Sequence, residues 1–222
     1  MTLEMKDSPH DKASISKMTA AELKRVIADA RKSKDIYLLS ELCQRRLSLY
    51  SRHHRKLPKW LEHPLSLGLI VLAGYALLYT GPIMVGDMFA ETLAFAIGVV
   101  TVLLFSHPLG HSLCSKILKI QIDGLFLGGK ARIEPTFLVH LPSFCRQSRT
   151  RRFAFHISGV VATLVSTSAI VLFAEAFAFN NLFLAVSLVL LLVVAAFETV
   201  NSSKHGDIAR AIREFRIEAI ST

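Results

Sequence analysis

Four apolar blocks, each close to the length of a bilayer crossing, constrain the fold of this chain more than any other feature. They cover about Leu65 to Thr80, Phe89 to Phe105, Phe153 to Phe173 and Leu182 to Val200. A helix needs about 20 mostly apolar residues, within a range of roughly 17–25, to span the hydrocarbon core. The first block reaches that length by running on through Gly81-Pro82-Ile83-Met84-Val85. Residues that are 52% hydrophobic and only 19% charged, concentrated in this way, are too apolar for an ordinary soluble domain. The expected fold class is an all-α polytopic membrane protein with four transmembrane helices.

The basic residues alternate with the blocks and predict an orientation. Arg45, Arg46, Arg52, Arg55, Lys56 and Lys59 precede the first block, and the Gly81–Met88 loop carries no Lys or Arg. Lys116, Lys119, Lys130, Arg132, Arg146, Arg149, Arg151 and Arg152 fill the central connection, and Lys204, Arg210, Arg213 and Arg216 the tail. By the positive-inside rule, both termini and the central connection face the cytoplasm. The net charge of +9 therefore points to topology and anionic head groups of the lipid bilayer, not to nucleic acid. No secretory signal is read, because about 60 polar residues precede Leu65, which is expected to begin an uncleaved anchor. Cys43, Cys114 and Cys145 form no C-x-x-C pair and are read as free thiols in a reducing compartment.

Three regions follow. Residues 1–17 are polar without periodicity and are expected to be disordered. Residues 18–60 read as a cytoplasmic amphipathic helical hairpin. Thr19-Ala20-Ala21-Glu22 is a capping-box pattern, Lys32-Ser33-Lys34 interrupts, and Asp35 caps a second helix carrying Leu38, Leu39, Leu42 and Leu49. This pair is expected to lie on the membrane or on the chain's own loops. Residues 61–222 form the four-span domain. In its central connection, Ile120 to Pro135 alternates partly and predicts a small β-ribbon turning near Gly128-Gly129, with Pro135 and Pro142 as breakers. An exposed edge of that ribbon would offer unpaired backbone groups to an extended peptide; covering the helix ends is the simpler role.

His107 and His111 stand four residues apart in Ser106-His107-Pro108-Leu109-Gly110-His111, at the basic end of the second block. Residues i and i+4 share a helix face about 5–6 Å apart, which suits two imidazoles on one tetrahedral metal. Nine histidines in this length give about 0.4 such pairs by chance, so it is the position at membrane depth that singles this one out. The alternative is that His107 caps a helix and His111 lies at the head-group boundary. Pro108 disfavours helical backbone at His107, so the helix either breaks near Ser106 or continues with a kink. Asp207 is the candidate third ligand, with His205 a competitor and His156 a further imidazole on the same side. A membrane di-iron oxygenase would need several more histidine boxes.

The arrangement resembles the site-2 protease family of intramembrane zinc metalloproteases, over about Phe89 to Asp207. In that family an H-E-x-x-H helix is followed by a ribbon-containing connection, a further span, and a span ending in an asparagine-plus-aspartate motif. The resemblance implies Zn²⁺ held by His107, His111 and Asp207, with Asn201 in the place of the motif asparagine. Pro108 stands where the family has its catalytic glutamate, and Asn201 to Asp207 is shorter than the family pattern and lacks its prolines. The resemblance thus implies a catalytically impaired pseudoprotease that engages membrane protein or peptide substrates and partners. Two other readings remain: an active metalloprotease using Glu198 as a substitute base, and a structural membrane protein without a metal.

Overall fold

The computed structural model describes residues 12–85, 88–128, 134–176, 181–204 and 206–216. The N-terminal region is helical from Lys12. Helix α1 (Lys12–Lys17) leads into α2 (Ala20–Lys32) and α3 (Ile36–His53). The capping box is present: the Thr19 hydroxyl accepts from Glu22 N–H, and the Glu22 carboxylate accepts from Thr19 N–H at 2.8 Å. The Asp35 carboxylate accepts from Leu38 N–H at 2.9 Å to start α3. Helix α1 departs from the expected disorder over residues 12–17; residues 1–11 of that expectation lie outside the described residues. Its buried Ile15 joins Leu23, Leu38, Leu39 and Leu42 in a core, a stabilisation that local periodicity does not reveal. The same core takes in Ile120, Val139, Leu141, Phe144, Cys145 and Phe155, so the hairpin packs on the central connection and on the start of the third apolar helix. All three cysteines are free, and Cys43 and Cys145 are buried.

Each predicted apolar block lies within a helix: α4 (Pro64–Val85), α5 (Met88–Leu118), α7 (Arg149–Ala176) and α8 (Asn181–Lys204). Among the described residues, two stretches are long and apolar enough to cross a membrane, Phe89–Leu118 in α5 and Arg149–Leu172 in α7, with a shorter apolar stretch over Pro64–Tyr79. Helix α5 packs between α4 and α7, and α8 packs on α7. Glycines permit the close α4–α5 crossing: a Cβ on Gly98 would stand 2.8 Å from the Gly74 carbonyl oxygen. The outward faces stay apolar; Phe89, Val165 and Leu192 are 74, 63 and 70% exposed.

Two antiparallel strands, β1 (Ile122–Gly128) and β2 (Glu134–Val139), follow α5. The ribbon exists, but its second strand begins where the sequence suggested a break, with Pro135 paired opposite Leu127. Proline is tolerated there because β2 lies at the edge and its missing N–H leaves no ladder bond broken on the inner side. The expected turn at Gly129 lies outside the described residues. The other side of β1 is covered, since Leu57 N–H donates to the Leu125 carbonyl at 2.8 Å and Leu127 N–H to the Arg55 carbonyl at 2.9 Å. Helix α6 (Leu141–Cys145), with Pro142 in its first turn, leads to α7, and α9 (Asp207–Arg216) follows α8.

Candidate metal centre

Helix α5 runs unbroken through Pro108, so of the two alternatives for this proline the continuous helix is realised. His107 and His111 consequently keep one-turn spacing, with ring centroids 4.9 Å apart. Asp207, the first residue of α9, reaches them from 100 and 96 positions further along the chain. Its Oδ2 is 2.9 Å from His107 Nε2 and 3.1 Å from His111 Nε2, and the two Nε2 atoms are 3.2 Å apart. Zinc ligands at about 2.0–2.2 Å in a tetrahedron are about 3.3–3.6 Å from one another. The triangle meets that requirement after opening by a few tenths of an ångström.

The far side of each imidazole is committed. His111 Nδ1 lies 2.8 Å from the Phe155 carbonyl oxygen, which can only accept, so this nitrogen carries the proton and donates. His107 Nδ1 lies 3.2 Å from Thr163 Oγ1, and the Thr163 hydroxyl spends its own proton on the Gly159 carbonyl at 3.0 Å. His107 Nδ1 is therefore also a donor. In the neutral rings both Nε2 lone pairs then point at each other and at a carboxylate oxygen. Three acceptors packed this closely repel unless a proton or a cation is shared among them. Histidines that hold metals characteristically donate their other N–H to a carbonyl or hydroxyl in this way.

Burial disfavours the charged form of Asp207, but where an imidazole carries a proton on the side facing it, hydrogen bonds from His107 and His111, with His156 close behind, outweigh burial and hold the carboxyl well below the usual carboxylate range. Its other oxygen, Oδ1, is 3.2 Å from Arg210 Nη1 and 3.6 Å from His156 Nδ1. His156 thus backs the carboxylate and does not join the triangle. The candidate ligand set among the described residues is His107, His111 and Asp207, with all three ligand atoms within 4.8 Å of one another. Glu198 and Asn201 lie on α8, but their side chains, like the whole of His205, fall outside the described residues.

Sequence reading missed what lets α7 come so close. A Cβ on Gly159 would stand 2.5 Å from His111 Nε2 and 2.7 Å from His107 Nε2, so only glycine leaves room for the two rings. On the facing helix, a Cβ on Gly110 would stand 2.3 Å from the Ser158 carbonyl oxygen. Thr163, one turn beyond Gly159, supplies the hydroxyl for His107. The signal in the sequence was Gly159-x-x-x-Thr163, a small-residue repeat of the kind that brings apolar helices together. Pro108 is fully buried and has no ionisable group, so the position next to His107 offers no acid.

No family model matches the chain, and neither curated proteins nor solved structures provide a match to it.

Proposed function

We propose that this protein is a four-span membrane protein of the site-2 protease type, with a Zn²⁺ centre at His107, His111 and Asp207 and without efficient peptidase activity. It would engage membrane-embedded protein segments as a pseudoprotease. One observation carries the reading: three acceptor atoms from distant parts of the chain converge to within 3.2 Å while both Nδ1 atoms are tied elsewhere. The uncovered apolar faces of α5, α7 and α8 support a bilayer location, because soluble monomers rarely leave so much contiguous apolar surface in water. The alternation of basic clusters supports cytoplasmic termini.

Zinc, when bound, supplies Lewis acidity and lowers the pKa of a coordinated water to about 7. The chain's own contribution is orientation. The Phe155 carbonyl and Thr163 hydroxyl fix the imidazole faces, and Arg210 holds Asp207 Oδ1 so that Oδ2 points inward. What is missing is a carboxylate beside His107 to take a proton from water. General-base catalysis contributes about 10²–10⁴ in rate, and Pro108 forfeits it.

Metal analysis of the detergent-purified protein tests the reading. One equivalent of zinc is expected in the wild type and in Glu198→Ala, and none in His107→Ala. The wild type should leave a transmembrane peptide intact, whereas Pro108→Glu should cleave it. A zinc-free wild type overturns the metal centre. Cleavage by the wild type that Glu198→Gln abolishes overturns the pseudoprotease and makes the protein an active enzyme with a substitute base.

A further inference from the structure

The third ligand stands on a helix too short to hold its own position. Helix α9 has ten residues, and isolated helices below about 12–15 residues are marginal in water. Asp207, Ala211 and Glu214 are spaced i, i+4 and i+7 and form one inward face, on which Ala211 is completely buried and Glu214 is 5% exposed. Two turns from the metal triangle, Glu214 is enclosed by cations. Arg152, at the start of α7 and completely buried, approaches it with Nε at 3.0 Å from Oε2. Arg31, from the last turn of α2, grips both carboxylate oxygens, with Nη1 at 2.9 Å from Oε1 and Nη2 on Oε2. The other guanidinium nitrogens of Arg152 reach the Gln147 carbonyl at 2.8 Å, the Cys145 carbonyl at 3.3 Å and the Glu214 carbonyl at 3.4 Å, so this side chain is anchored to the connection before α7.

Arg31 is therefore a hairpin side chain clamping the far end of the helix that begins with Asp207. We propose that Glu214 and Arg31 are positioning residues for the metal centre, and that the N-terminal hairpin sets its affinity by holding α9 in register with α5. The inference rests on the zinc reading above. A bidentate guanidinium–carboxylate pair fixes both distance and rotation. On α9, rotation about the helix axis is what decides whether Oδ2 faces the two Nε2 atoms. With the clamp released, α9 can rotate or fray and the third ligand is lost from the triangle. Thermodynamic linkage requires the converse: bound zinc must hold the hairpin down by the same factor.

The test uses the full chain in detergent and zinc alone as probe, with affinity read by competition against a chelator. Arg31→Met and Glu214→Gln should each weaken zinc binding about tenfold or more, the range seen for groups that orient ligands, and Arg31→Lys should recover part of the loss. Hydrogen exchange of the α2 amides in the wild type supplies a measure that needs no variant. Saturating zinc should slow it by about the same factor, and should not do so in Asp207→Asn. Wild-type affinity in both clamp variants, with α2 exchange indifferent to zinc, overturns the positioning role and leaves the metal centre standing. A wild type that binds no zinc removes both.

Discussion

At the C-terminal end of α9 a carboxylate is buried between two guanidiniums. At its N-terminal end, another, half-buried, lies against two imidazoles whose outer nitrogens are already committed. The first cluster supplies the carboxylate's counter-charge from within the chain: Arg31 and Arg152 surround Glu214, and backbone carbonyls accept from Arg152. The second presents acceptors to acceptors, with Arg210 on the outer carboxylate oxygen only. Buried charge completed from within the chain is structural and closed. Acceptors left facing one another need a shared proton or a cation between them. The same ten-residue helix thus carries an anchor at one end and a candidate site at the other.

The comparison breaks most visibly if the two clusters respond alike to zinc. Arg152→Met removes one partner of a buried pair and should destabilise the protein by about 3–5 kcal/mol in zinc-free buffer. His107→Ala should cost its stability mainly in zinc, because a ligand at a thousand times its Kd contributes about 4 kcal/mol to the state that binds it. Chemical denaturation with and without zinc distinguishes them, and equal losses for His107→Ala in both buffers would make its cluster structural too.

A smaller effect belongs to the candidate site. Gly159→Ala should weaken zinc about 10–100-fold by pushing its methyl into the two imidazoles, an effect on the scale of outer-shell substitutions at metal sites. Chelator competition reads it, and unchanged affinity would mean that α7 can retreat from α5. The smallest effect belongs to the hairpin. Burial pushes the Cys43 thiol up to about 11, against the opposing Leu141 N–H that its sulfur accepts. A raised folded-state pKa gives stability that is fully present below the unfolded value, near 9, and lost as pH rises through 11. Wild-type denaturation midpoints should therefore fall between pH 9 and 11 more steeply than those of Cys43→Ala. Parallel curves would show the thiol to be solvated.

Helices and caps were legible because their signals are local. The capping box at Thr19, the Asp35 cap and the four apolar blocks all lie within a turn or two of what they determine. The ribbon was half legible: alternation located β1, but Pro135 looked like a breaker, and only pairing with β1 makes it an edge residue. Helix α1 was invisible because its stabilising contact, Ile15 in the hairpin core, lies in another element.

By itself the sequence determined which segments are helical and apolar, and that His107 and His111 share one face if the helix runs on through Pro108, because hydrophobic period and i,i+4 spacing are properties of contiguous residues. It also determined that no acid stands at position 108. Only the tertiary structure decided that Asp207 meets the pair, that Gly159 opens the space they occupy, and that Arg31 closes on Glu214 from 183 residues away. Those are packing outcomes: they depend on where α5, α7 and α9 cross, and crossing is settled by side chains that no local pattern connects.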